Sequence, residues 1–255
     1  MHREKLVLYC GMNSAEYLHS YANFPEYLTP YIGNMEDVVR INDSVFGLRP
    51  RIVEQVIDSE SKQRTLLIVT GFSGAGKDTV VNALIERDER FGWVRTCTTR
   101  KRRPDENDEN DTYIRISEQQ FQEKLSDGDV IEWIEYSGQH SCSMESVFMD
   151  AFSKYEIPII RVDPRGTRFY SEMWKRQERF FKDVNLISVF VAPPKVSDLE
   201  SRLWGRPGAD SENVKKRLAQ MDLDIPFLGD SEYIAINETG QLEKVVVNIQ
   251  KLISS

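Results

Sequence analysis

Cysteine and histidine are scarce in this chain, with three of each in 255 residues. Cys10, Cys97 and Cys142 are widely spaced and odd in number. That speaks against a disulfide framework and suits free thiols in a reducing cytoplasm. His2, His19 and His140 share no metal-ligand spacing with them, so a His/Cys metal centre is not expected. No apolar run approaches the roughly 20 residues of a membrane-spanning helix. The short apolar stretch 6–10 after Met1-His2-Arg3-Glu4-Lys5 falls short of a secretion signal. An excess of positive charge is missing too: 33 Lys and Arg face 41 Asp and Glu, a net charge of -8. General nucleic-acid binding by the whole surface is therefore not expected. Internal repeats and low-complexity segments are absent as well.

What is present suits a globular core: 40% hydrophobic and 29% charged residues. Residues 1 to about 60 differ from the rest. Five of the ten tyrosines lie between Tyr9 and Tyr31, with Pro25 and Pro30 among them, and periodicity is weak. A short strand is expected at 38–41 and a short helix at 50–57. This N-terminal extension, of unknown role, is expected to pack on a main domain at 65–254, through a polar linker at 59–64.

From Thr65 on, strands and helices alternate. Apolar or extended runs predict strands at 66–69, 93–97, 113–116, 130–136, 157–162, 186–191 and 233–236. Helical periodicity predicts helices at 77–87, 145–155, 167–181, 197–204, 210–223 and 242–253. Another helix follows Ser117, which with Gln120 forms a capping box, and ends near Gly128. Asp210 or Ser211 caps the helix at 210–223. The alternation implies an α/β domain around a mostly parallel sheet.

One segment carries specific chemistry. Gly71-Phe72-Ser73-Gly74-Ala75-Gly76-Lys77-Asp78-Thr79 fits G-x-x-x-x-G-K between a buried strand and a helix. Glycines let successive N–H groups turn inward onto phosphate oxygens, and the helix adds its positive end. Lys77 is placed to neutralise charge on a moving phosphoryl group. The residue after the lysine is usually Ser or Thr, a magnesium ligand; here it is Asp78, also a hard oxygen donor. ATP and Mg2+ are the expected substrate and metal, with Asp78 as the metal ligand.

Thr98-Thr99-Arg100-Lys101-Arg102-Arg103-Pro104-Asp105-Glu106 resembles the T-T-R-x-x-R-P-x-E signature of guanylate kinases. Behind it, in the same order as in that family, come Tyr113, Val130-Ile131-Glu132-Trp133, Gly138 to Ser143, Val162-Asp163 with Gly166, and Pro193-Pro194. Arg202-Leu203-Trp204-Gly205-Arg206 and Asp210 through Arg217-Leu218 complete the series. The resemblance covers residues 65–254. It implies a P-loop nucleoside monophosphate kinase fold of three layers, with a small acceptor-binding subdomain at about 96–145 and an arginine-bearing lid at about 202–217. It implies that Gly71, Ser73, Gly74, Ala75, Gly76, Lys77, Asp78 and Thr79 hold ATP. Thr96, Arg100, Arg103 and Tyr113 would meet the acceptor's phosphate. Glu132, Ser143 and Asp163 would read its guanine. Arg202, Arg206 and Arg217 would act with Lys77 on the transferred charge.

The acceptor side departs from the family in places. Ser141-Cys142-Ser143 stands where a Tyr-Gly-Ser stretch is usual, and Ile160-Arg161-Val162-Asp163 keeps only the second of two acids. The expected reaction is therefore phosphoryl transfer from ATP to GMP or dGMP, and two alternatives stay open. One is another small acceptor, such as ribose 1,5-bisphosphate, whose kinases share the Gly-Lys-Asp loop. The other is a guanylate-kinase-like binding module without catalysis. Oligomeric state is not legible in the sequence.

Overall fold

The computed structural model describes residues 25–31, 38–40, 45–48, 64–102, 112–136, 138–206 and 208–254. In chain order the strands are β1 (Val38–Arg40), β2 (Val45–Leu48), β3 (Arg64–Gly71), β4 (Phe91–Val94), β5 (Thr96–Thr98), β6 (Tyr113–Arg115), β7 (Val130–Tyr136), β8 (Gln139–Met144), β9 (Ile157–Arg161), β10 (Val184–Ala192) and β11 (Tyr233–Ile236). The helices are α1 (Lys77–Arg87), α2 (Glu118–Ser126), α3 (Glu145–Lys154), α4 (Pro164–Lys175), α5 (Val196–Trp204), α6 (Ser211–Asp224) and α7 (Leu242–Ser254).

Seven strands form one sheet in the order β1-β2-β11-β10-β3-β9-β4. The five from β11 to β4 run parallel, and β1 and β2 are added antiparallel at one edge. The middle one of the five parallel strands, β3, is apolar from Leu66 to Val69, and successive side chains enter opposite layers. Leu67 and Val69 pack with Val80, Val81 and Leu84 of α1 and Val245, Val246 and Ile249 of α7. Leu66 and Ile68 pack with Phe148 of α3 and Tyr170, Met173 and Trp174 of α4. Burial on both faces explains why this strand reads as a continuous apolar run rather than an alternation. The three layers expected from the sequence are present.

A second sheet, β6-β5-β8-β7, stands beside the first and covers a small core of Cys97, Phe121, Val130, Cys142 and Met144. Two expectations change here. The extended run 93–97 divides at Arg95: β4 stays in the large sheet while β5 enters the small one. The polar stretch Gln139–Met144 is a strand that the sequence does not predict, because its hydrogen bonds to β5 and β7 supply the order that its side chains do not.

The helix expected at 167–181 begins earlier and ends earlier. Asp163 caps it with its side chain on Gly166 N, and Pro164 occupies the first turn, where no N–H is missed. It stops at Lys175, and Gln177 and Arg179 then take positive φ of 53° and 52°. Helix α2 has the expected capping box on Ser117 and Gln120, and Asp210 caps α6. Of the N-terminal extension, β1 matches the strand expected at 38–41. The 3-10 turn Glu26–Tyr31 buries Leu28 in the main core, and Tyr27 donates to Pro193 O at 2.8 Å. The helix expected at 50–57 lies outside the described residues.

One half-buried acid lies away from the phosphate loop, just before β11. Glu232 precedes β11, accepts at 3.4 Å from Ser188 N, and burial pushes its carboxyl up to about 7. A carboxyl raised above its unfolded value favours the fold while protonated. Its contribution is thus present below about pH 4.5 and is lost as pH rises to 7, a change of about 2–4 kcal/mol. Glu232→Gln is expected to raise Tm by about 4–8 °C at pH 8 and to leave it near wild type at pH 5. An equal shift at both pH values would remove Glu232 as the cause.

Candidate active site

The loop after β3 is shaped by close approach. Gly71, at φ 134°, lies so near β10 that a side chain would strike Val191 O. Gly76, at φ 93°, is backed by the Asn237 amide, which donates to Ala75 O at 2.8 Å. Side chains rarely adopt such backbone angles, so only glycine permits this curve. Helix α1 starts at Lys77 and aims its positive end at the loop. Asn237, just past β11, is a support the sequence does not announce, because 162 positions separate it from Ala75.

Lys77 closes over its own loop. Its Nζ donates to Gly71 O at 2.7 Å and Phe72 O at 2.9 Å. Burial, and next the charge of Arg161, lower its ammonium to about 8; Asp78 and Asp224 oppose this, and Arg206 adds to it.

The three arginines expected to form a lid take different places. Arg217 of α6 donates to Ser73 Oγ at 2.7 Å and so joins that helix to the phosphate loop. Arg206 is exposed in the turn after α5, within electrostatic reach of Lys77. Arg202 points to backbone: Ala75 O at 3.3 Å, Asn237 O at 2.7 Å, and Thr239 Oγ1 at 3.0 Å. In this structure it braces the loop from behind.

On the acceptor side, a β-bulge decides where Glu132 faces. Val130 pairs with Met144, but Glu132 pairs with Ser143, so one residue is extra on β7. Without the bulge, Glu132 would follow Val130 into the small core; with it, Glu132 turns to the opposite face. There its Oε1 accepts from Ser143 Oγ at 3.1 Å and Tyr170 OH at 3.0 Å. Burial raises the Glu132 carboxyl above the usual range, these two bonds oppose that, and Asp163 adds to it. Tyr170 is a partner that sequence reading misses, since it sits at a core position of α4. Asp163 uses Oδ1 to cap that helix, accepting from Gly166 N at 2.7 Å.

The threonine pair before Arg100 has a structural task. Thr98 Oγ1 donates to His140 O at 2.9 Å, and Thr99 Oγ1 accepts from His140 N at 2.8 Å. Both pin the turn to β8, and Arg100 N then donates to Thr98 Oγ1 at 3.2 Å. Arg100, Arg115 and Arg161 all approach the Tyr113 ring, at 5.8, 5.4 and 5.7 Å from its centroid. Thr96 is half-buried on β5, opposite Tyr113 in register. Arg103 lies outside the described residues. Cys97 and Cys142 face each other across β5 and β8, buried in the small core.

Asp78 and Thr79 are exposed on the first turn of α1. One carboxylate beside a phosphate cradle fits magnesium, which is usually held by one or two carboxylates plus substrate phosphates. Asp78 Oδ1 lies 3.0 Å from Arg161 Nε. No described group of three or more His, Cys, Asp and Glu side chains is clustered for a metal. No helix of the described residues is long and apolar enough to cross a membrane.

Known proteins resemble this chain in sequence and in fold. The chain is 27% identical over 188 residues to a guanylate kinase of Trichodesmium erythraeum, covering 74% of this chain and 95% of that one. It is 28% identical over 197 residues to a guanylate kinase of Synechocystis, covering 77% and 96%. The crystal structure of guanylate kinase from Anaplasma phagocytophilum shares the fold, with a TM-score of 0.53 at 18% identity, over 76% of this chain and 86% of that one. The family profile described as guanylate kinase matches residues 63–255. This chain, a phosphotransferase of the nucleoside monophosphate kinase type, therefore belongs to the guanylate kinase family.

Proposed function

We propose that this chain transfers the γ-phosphoryl group of ATP to GMP or dGMP, and that it acts in the cytoplasm, where its facing thiols stay reduced. The observation that carries the acceptor assignment is Glu132. Its Oε1 is taken by Ser143 and Tyr170. The other oxygen is left to accept from guanine N1–H and the exocyclic amine, a donor pair that adenine lacks at that edge. A sugar phosphate has no use for such a carboxylate, which disfavours ribose 1,5-bisphosphate. The assembled phosphate loop and the Arg217–Ser73 contact disfavour a binding module without catalysis.

In the proposed reaction, an oxygen of the GMP phosphate attacks the γ-phosphorus. The bond from that phosphorus to the β,γ-bridging oxygen breaks, giving GDP and ADP. Bound magnesium would screen the β- and γ-phosphate charge. This chain supplies the alignment and the cations. The loop N–H groups and Lys77 hold the donor, and Arg206 and Arg217 approach its outer phosphates as the lid closes. Arg202 steadies the loop. Arg100, Arg103, Tyr113 and Thr96 hold the acceptor's phosphate, and Glu132, Ser143 and Asp163 its base. Residues 1–60 serve as a structural addition to the 65–254 domain in this reading.

A coupled assay of ADP release over nucleoside monophosphates and ribose phosphates tests it. GMP or dGMP is expected to be the best acceptor. Turnover of ribose 1,5-bisphosphate without GMP would overturn the acceptor, and no turnover of any acceptor would favour the binding module. Asp78→Ala is expected to raise the half-saturating magnesium concentration about tenfold, the scale of one lost charged ligand. A magnesium titration that matches wild type would remove Asp78 from the metal site.

A further inference from the structure

Arg161 ends β9, at the carboxyl edge of the large sheet, where ligands of parallel α/β sheets bind. It touches both halves of the site. Its Nε is 3.0 Å from Asp78 Oδ1 on the donor side, and its Nη2 donates to Tyr113 OH at 3.3 Å on the acceptor side. Its charge is the largest electrostatic influence on Lys77 after burial.

These contacts do not account for a charge placed here. The approach to Asp78 is too bent for a hydrogen bond, and the buried Nε–H has no hydrogen-bond partner. The Asp78 side chain is 56% exposed against 22% for Arg161, so water screens the pair. An ion pair so exposed is worth about 0–1 kcal/mol, less than the cost of desolvating a guanidinium. Nη1 makes no hydrogen bond to any described residue. A planar fork with donors to spare, between a phosphate loop and an acceptor-side tyrosine, is matched by a phosphate dianion.

We propose that Arg161 is a catalytic residue that binds the acceptor's phosphate at its junction with the donor loop, and that the Asp78 carboxylate is a weak competitor for it until that phosphate arrives. This rests on the guanylate reading. With a phosphate in the site, Arg161 turns its fork onto two of the phosphate oxygens. It then stands beside the attacking oxygen and Lys77, where negative charge is densest during transfer. Asp78, released from the pair, faces the donor phosphates.

Calorimetric binding of GMP and of guanosine to the full chain, without ATP or metal, separates phosphate recognition from base recognition. Arg161→Gln is expected to weaken GMP about 10–50-fold and to leave guanosine within about twofold. Arg161→Lys, which keeps charge but loses the fork, is expected to recover only part of the loss. Asp78→Asn removes a competing carboxylate and is expected to tighten GMP a few-fold. Equal loss of GMP and guanosine in Arg161→Gln would mean a structural role and overturn the proposal. So would GMP binding at the wild-type level in that variant, or weaker GMP binding in Asp78→Asn. Wild type that binds guanosine no worse than GMP also overturns it while leaving the base assignment intact. Wild type that binds neither overturns the guanylate reading and this proposal together.

Discussion

Replacing Lys77 with methionine is expected to lower kcat about 10³-fold, with a smaller effect on the KM for GMP. The side chain is nearly isosteric, so the phosphate loop keeps its shape while the charge is lost. The ammonium donates to Gly71 O and Phe72 O of the loop itself, so it lies on the turn it is expected to serve. A second measurement ties the effect to charge. Burial and Arg161 hold Lys77 at about 8 in the free chain. Phosphate oxygens favour the charged form and raise that value. Near pH 8, ATP binding is therefore expected to take up about half a proton, and less as pH falls well below 8. Calorimetry in buffers of different ionisation enthalpy reads this uptake. It should vanish in Lys77→Met, and uptake that persisted unchanged would assign the proton to another group.

Glu132→Gln is expected to lower kcat/KM for GMP about 10³-fold while the KM for ATP stays within about twofold. The glutamine oxygen can still accept from Ser143 and Tyr170. Its amide then meets the guanine N1–H and amine donor to donor, leaving buried donors unpaired. Xanthosine monophosphate carries a carbonyl in place of that amine, so its rate relative to GMP should rise in the variant. Wild type also carries a pH signature. Burial lifts the Glu132 carboxyl above the usual range, and base recognition needs it ionised. GMP affinity is thus expected to fall as pH drops through that raised value, and the variant should be flat there. Equal losses toward GMP and ATP would show that Glu132 does not read the base.

The sequence by itself determined the local features. The run into Gly71, the loop glycines and the periodicity of α1 specify a strand, a phosphate cradle and a helix within 24 residues, Arg64 to Arg87, because each of these signals is local. Caps at Ser117 and Asp210 were legible for the same reason: donor and acceptor are three residues apart. The tertiary structure alone decided what depends on strands meeting. Gln139–Met144 lacks an apolar pattern and became β8 only between β5 and β7. The bulge on β7 is a register property of two strands, so the facing of Glu132 could not be read from one of them. Tyr170 and Arg161 look like a core aromatic and a surface charge in the chain. Folding places them 38 positions from Glu132 and 83 from Asp78 in sequence, yet within 3.0 Å in space. Such contacts form because the sheet order brings β3, β9 and the small sheet together, and a hydrogen bond depends on distance and angle, not on position along the chain.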